Sequence, residues 1–150
     1  MTYIKNKRGA MLIDLLVAIG IIVLLSTITI PYLRKYQPNL KLRVASRNLT
    51  GDIRYAQQLT ITEQKTHIVS LDIAGGKYEI LRIDSATTTV KTVNFDSEIF
   101  LKQITGLTGN NILFNFYGAV SRSGTIILSN LNNNESTINI KPSGFVELVE

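Results

Sequence analysis

The sequence contains no cysteine, one histidine and three prolines in 150 residues. Without cysteine there is no disulfide framework, no thiolate metal site and no thiol nucleophile. The single histidine, His67, leaves any metal site to carboxylates and would have to serve any Ser-His-Asp set alone. It is read as a surface or packing residue at the start of a strand. Charge is sparse as well: Asp, Glu, Lys and Arg make up 18% of the chain, against a usual share of about a quarter. The glycines of "AGG" and "GTI" lack the Lys-Ser/Thr that completes a phosphate loop, and Asp96–Glu98 is too short for a calcium loop. No catalytic residue, cofactor or metal is expected.

The net charge of +5 is unevenly placed. Lys5, Lys7 and Arg8 open the chain without an acid, and six basic residues between Arg34 and Arg54 face Asp52 alone. From Lys65 onward, seven basic residues meet eight acidic ones, so the downstream part lacks the basic face of a nucleic-acid binder. The basic stretch itself is read as a solvated helix face.

The abundant feature is apolar. Ala10 to Tyr32 holds a single charge, Asp14, and as a helix would reach about 34 Å, enough to cross a hydrocarbon core of about 30 Å. A secretory signal has an apolar region of only about 7–15 residues and a small-residue cut site; "PYLRKYQPNLKL" supplies no such site. An ionisable group in a spanning helix costs about 2.5–3.5 kcal/mol at the bilayer centre and calls for a partner. Asp14 lies near the start of the run, which relieves part of that cost. A chain cut between Gly9 and Ala10 would present a free amine able to pair with Asp14 of a neighbouring copy.

The stretch "KRGAMLIDLLVAIGIIVLLSTITIPYL" resembles the class III signal segment of type IV prepilins and type II secretion pseudopilins. The pattern is a basic leader ending in Gly, then an apolar helix with an acid at its fifth residue and a proline at its twenty-second. Counted from Ala10, these are Asp14 and Pro31. The resemblance implies cleavage after Gly9 by a prepilin peptidase, N-methylation of Ala10, and assembly through amine pairing by Asp14. The chain departs from the pattern in having Ala10 where Phe or Met is favoured and Asp14 where Glu is usual.

Past Pro31 and Pro38, the residues Leu42, Ala45, Leu49, Ile53, Ala56 and Thr60 recur at three- and four-residue intervals, an amphipathic stripe. One long helix is expected over about 11–63, kinked or locally melted at Pro31 and Pro38. From Thr66 the period becomes two. "THIVSLDI", "KYEILRI", "TTTVKTV", "EIFLKQI", "ILFNFY", "GTIILS", "STINIK" and "GFVELV" read as short strands between turns. The expected fold is α+β: a long N-terminal, partly transmembrane helix packed on an antiparallel sheet or sandwich. The layout resembles the GspH/FimT-type pseudopilin domain, with looser matches carried by Gly118, Gly124 and Gly144.

The domains read as a leader (1–9), a transmembrane and filament-core helix half (10–33), an amphipathic half (34–63) and a β-rich pilin domain (64–150). The resemblance implies a minor pilin or pseudopilin in the inner membrane, its N-terminus cytoplasmic and its β-domain outside. Its partners would be the prepilin peptidase, other pilins and the inner-membrane assembly platform. Two other readings stay open: a DNA-binding minor pilin for DNA uptake, and a single-pass anchored β-domain acting as receptor or enzyme.

Overall fold

A computed structural model describes residues 7–149, with side-chain surroundings for 12–33 and 36–149. Residues 1–6 of the expected leader lie outside the described residues. The elements run α1 (Lys7–Glu63), β1 (Thr66–Asp72), β2 (Lys77–Ile83), β3 (Thr87–Asn94), β4 (Ile99–Thr105), β5 (Asn111–Leu113), β6 (Gly124–Asn130), β7 (Glu135–Ile140) and β8 (Val146–Val149). The chain divides into two compact units, Met1–Gln37 and Pro38–Glu150.

The expected long helix is present. Its helical span passes through Pro31 and Pro38 without a break, so the local melting expected there is absent. It stops where Gln64 turns left-handed (φ 53°), the usual geometry just past a helix C-terminus, and the Gln64 side chain donates to the freed Ile61 carbonyl at 2.7 Å.

In the second unit, α1 from Pro38 onward lays its apolar stripe against two antiparallel sheets. One has the order β3-β2-β1-β5 and the other β4-β6-β7-β8. Leu49, Ile53 and Ala56 are fully buried with Val69 and Ile80 of the first sheet and Ile126, Leu128 and Ile138 of the second. Each Val, Leu or Ile among them contributes about 1.5–3 kcal/mol on burial. Three polar positions share the buried face without penalty. Ser46, Thr50 and Thr60 each donate to the carbonyl four residues back, at 2.8, 2.8 and 2.9 Å.

Four sheet edges result, and each is blunted. β5 and β8 are short, three and four residues long. β3 and β4 are longer, but each carries a register shift: Val90 is extra opposite Ile80 and Leu81, and Lys102 is extra between Leu101 and Gln103. Bulges of this kind twist an edge away from pairing with another strand.

"ILFNFY" departs from expectation. Only Asn111–Leu113 pairs as a strand, Phe114 bridges Val120, and the chain then turns. Asn115 Oδ1 accepts from the amides of Tyr117 and Ala119, both at 3.0 Å, so a side chain captures the backbone that a strand would need. Gly118 follows at φ +83°. Gly144, also at φ +83°, packs so closely that an added Cβ would collide with the Gly118 carbonyl and with Gln57. Gly144→Ala is therefore expected to destabilise the protein by about 2–3 kcal/mol through strain and steric conflict. Gly51→Ala, on the exposed face of α1 with open space around it, should instead stabilise by about 0.5–1 kcal/mol. Urea midpoints of the two variants check the pair; equal shifts would refute the assigned roles.

Candidate assembly surfaces

Leu12–Leu33 of α1 is 22 residues long with a mean hydropathy of 2.6, and none of it is buried by the rest of the chain. It is one helix long and apolar enough to cross a membrane. Its large side chains are fully presented: Leu16 is 73% exposed and Ile28 75%. The hydroxyls that interrupt the run are satisfied by the helix itself. Ser26 donates to Ile22 O at 2.7 Å, Thr27 to Leu24 O at 2.7 Å and Thr29 to Leu25 O at 2.8 Å, which removes most of their cost in lipid. Asp14 differs. It is exposed and makes no hydrogen bond or ion pair with any described residue. Gly9 and Ala10 fall inside the helical span, but their surroundings are not among those described.

In the second unit α1 is fastened to several parts of the β structure by polar clasps. Asn39 Oδ1 accepts from Asn130 Nδ2 at 2.9 Å and from Asn134 Nδ2 at 2.5 Å in the β6–β7 turn. Lys41 pairs with Asp96 at 3.2 Å and Glu98 at 2.9 Å before β4. Arg54 donates to the Val146 carbonyl at 2.8 Å and Gln57 to that of Gly118 at 2.6 Å.

The most enclosed clasp joins three elements. Asp52 of α1 accepts from the Tyr78 hydroxyl of β2 at 2.6 Å, and Lys91 of β3 reaches both of its carboxylate oxygens at 2.7 Å. Burial, and then the neighbouring Asp52 carboxylate, push the Tyr78 hydroxyl well above its ordinary value. The sequence shows Asp52 as a lone acid among bases; it does not show which base on a strand answers it.

His67 is fully buried, a packing residue whose Nδ1 lies 3.1 Å from the Lys65 carbonyl. Among the described residues no group of three or more His, Asp or Glu could hold a metal ion. Every lysine from Lys41 onward is paired with a carboxylate: Lys41, Lys65, Lys77, Lys91, Lys102 and Lys141.

This architecture has close counterparts among solved structures. The minor pseudopilin EpsH from the type II secretion system of Vibrio cholerae superposes with a TM-score of 0.64 at 9% identity, covering 73% of this chain and 96% of that one. The type IV minor pilin FimU of Pseudomonas aeruginosa gives 0.61 at 13% identity, over 77% and 92%. The chain has a minor-pilin fold. GspH of E. coli adds a third likeness, with a TM-score of 0.56 at 11% identity over 74% and 89%. No protein-family model and no curated protein matches the pilin-like chain in sequence. At such low identity the likeness rests on the path of the backbone.

The Tyr78 clasp yields a test on the pilin-like head. An unfolded tyrosine ionises near pH 10, whereas the folded Tyr78 hydroxyl holds its proton more tightly. Its contribution is therefore complete below about pH 10 and is lost as pH rises beyond it. Tyr78→Phe should cost about 1–2 kcal/mol at neutral pH and lose less stability than the parent above about pH 10. Thermal melts at pH 7 to 11 check this; parallel alkaline declines would overturn the assignment.

Proposed function

We propose that this chain is a prepilin that matures into a minor pilin or pseudopilin subunit of a type IV pilus or type II secretion pseudopilus. The observation that carries the reading is Asp14. It is a carboxylate without a described partner at the start of a segment whose hydroxyls satisfy themselves. Lipid disfavours such a group by about 2.5–3.5 kcal/mol at the bilayer centre unless a cation pairs with it. A neighbouring subunit's N-terminal amine at Ala10, freed by cleavage after Gly9 and methylated, is a cation at the right place in the sequence.

Prepilin peptidase is the processing partner in this reading. Other pilins and the inner-membrane assembly platform are its partners afterwards. The helix crosses the membrane with its N-terminus in the cytoplasm, and the β-rich unit lies outside before entering the filament. Pro31 and Pro38 are the positions where the helix bends to fit its neighbours. The subunit acts by assembly and catalyses nothing. The minor-pilin fold supports this reading, as does the exposed apolar span.

Co-expression with a prepilin peptidase tests the first step. The intact mass and N-terminal sequence should show a chain beginning at methylated Ala10, and Gly9→Val should leave it beginning at Met1. Asp14→Asn should be cut normally yet be recovered in sheared filaments at less than a tenth of the parent level. An uncut parent chain held in the membrane would replace this reading with that of a single-pass anchored β-domain.

A further inference from the structure

The exposed span Leu12–Leu33 of α1 closes on a pair of tyrosines. No Phe, Tyr or Trp stands between Ile4 and Pro31, and then Tyr32 and Tyr36 follow. Both belong to the helix, four residues apart and so on one face. Both are open, Tyr32 at 79% and Tyr36 at 51%, and neither makes a hydrogen bond with a described residue.

Tyrosine at the end of an apolar helix has a physical preference. Its ring is apolar and its hydroxyl needs water or a headgroup, so it settles at the membrane–water interface and resists movement either way. By sequence the pair brackets Arg34 and Lys35, residue types that also turn to the headgroup layer. The hydroxyls inside the span behave differently. Ser26, Thr27 and Thr29 donate to carbonyls of their own helix, so they hold the helix at no particular depth.

The lengths fit a bilayer. Ala10 lies 22 residues before Tyr32, and Asp14 lies 18 before it, which is about 33 Å and about 27 Å of helix. Place the Tyr32 backbone at one boundary of a hydrocarbon core about 30 Å thick. Ala10 then reaches about 3 Å past the opposite boundary, and Asp14 stops about 3 Å short of it. A tilt of about 20° leaves both within about 5 Å of that boundary. Drawing the helix one turn towards the tyrosine end, about 5.4 Å, would instead pull the bond after Gly9 into hydrocarbon and sink the Asp14 carboxylate about 8 Å deep.

We infer that Tyr32 and Tyr36 set the depth of α1 in the bilayer and so hold the Gly9–Ala10 bond in the cytoplasmic headgroup layer, within reach of the peptidase. The partner of this surface is the phospholipid headgroup layer on the opposite side of the membrane. The two tyrosines are positioning residues: they touch neither the bond nor the enzyme, and act through the register of the helix against lipid. The inference rests on the processing reading above and adds what fixes the geometry of the cut.

Moving the pair by one turn tests it. Ile28 is 75% exposed, so Ile28→Tyr with Tyr36→Gln rebuilds the pair at positions 28 and 32 without disturbing a packed side chain. Because the chain has no native cysteine, Val17→Cys gives a single site for a nitroxide. The uncut full chain is placed in vesicles of phosphatidylethanolamine and phosphatidylglycerol. Power saturation with oxygen and a water-soluble nickel chelate then reads the depth of the label, and circular dichroism checks the helix. The moved pair should carry the label about 5 Å deeper; an unchanged depth would overturn the inference. Cleavage is measured with the peptidase in the same vesicles and in detergent micelles, where no bilayer fixes a depth. The moved pair should be cut at least about tenfold more slowly than the parent in vesicles, and at the parent rate in micelles. Equal slowing in both media would report direct recognition of the substituted residues by the enzyme and overturn the positioning role, as would no slowing in vesicles. A parent chain left uncut in both media would remove the processing reading, whereas the depth shift is read without the peptidase and fails or holds separately.

Discussion

The fold depends on one constraint: the stripe Leu42, Leu49, Ile53 and Ala56 of α1 must be covered, and no single sheet covers it. The two four-stranded sheets are separate hydrogen-bonded ladders, joined through side chains in one core to which α1 contributes from the middle. Leu49 and Ile53 are fully buried with residues of both sheets. Removing either would strip contacts from two ladders at once, because a dense core cannot flow into the space. The helix therefore serves as the common floor of the β structure.

The polar clasps follow from that arrangement. Hydrophobic burial holds the helix face in place but is non-directional, so it sets neither the rotation nor the axial position of α1. Asn39, Lys41, Asp52, Arg54 and Gln57 lie along some five turns of helix and reach five separate places in the β structure. Pairs at the exposed surface, such as Lys41 with Asp96, add little energy. Gln57 on the Gly118 carbonyl, with Gly144 pressed against it, is closer and less replaceable.

The guarded edges bear on how such a chain can associate. Bulges at Val90 and Lys102 and the shortness of β5 and β8 leave no flat edge for a neighbour's strand. Association is left to side chains and helix faces. The exposed span Leu12–Leu33 has that character.

The sequence by itself determined the local elements. The 3.6-residue stripe marked the buried face of α1, the two-residue alternation marked seven of the eight strands closely, and the unbroken apolar run with Asp14 marked the membrane-compatible segment. These are properties of neighbours along the chain, set by backbone periodicity and side-chain polarity. Tertiary structure alone decided the sorting of eight strands into two sheets, because strands with equal alternation can pair in many orders. It decided that "FNFY" turns, since Asn115 competes for the backbone only once Ala119 is brought round to it. It decided the burial of His67, the joining of Asp52 to Tyr78 and Lys91, and the need for glycine at 118 and 144. The Asn115 turn closes within four residues, but the Asp52 clasp and the glycine requirement depend on groups tens of residues apart in sequence meeting at short range, a meeting that no local pattern encodes.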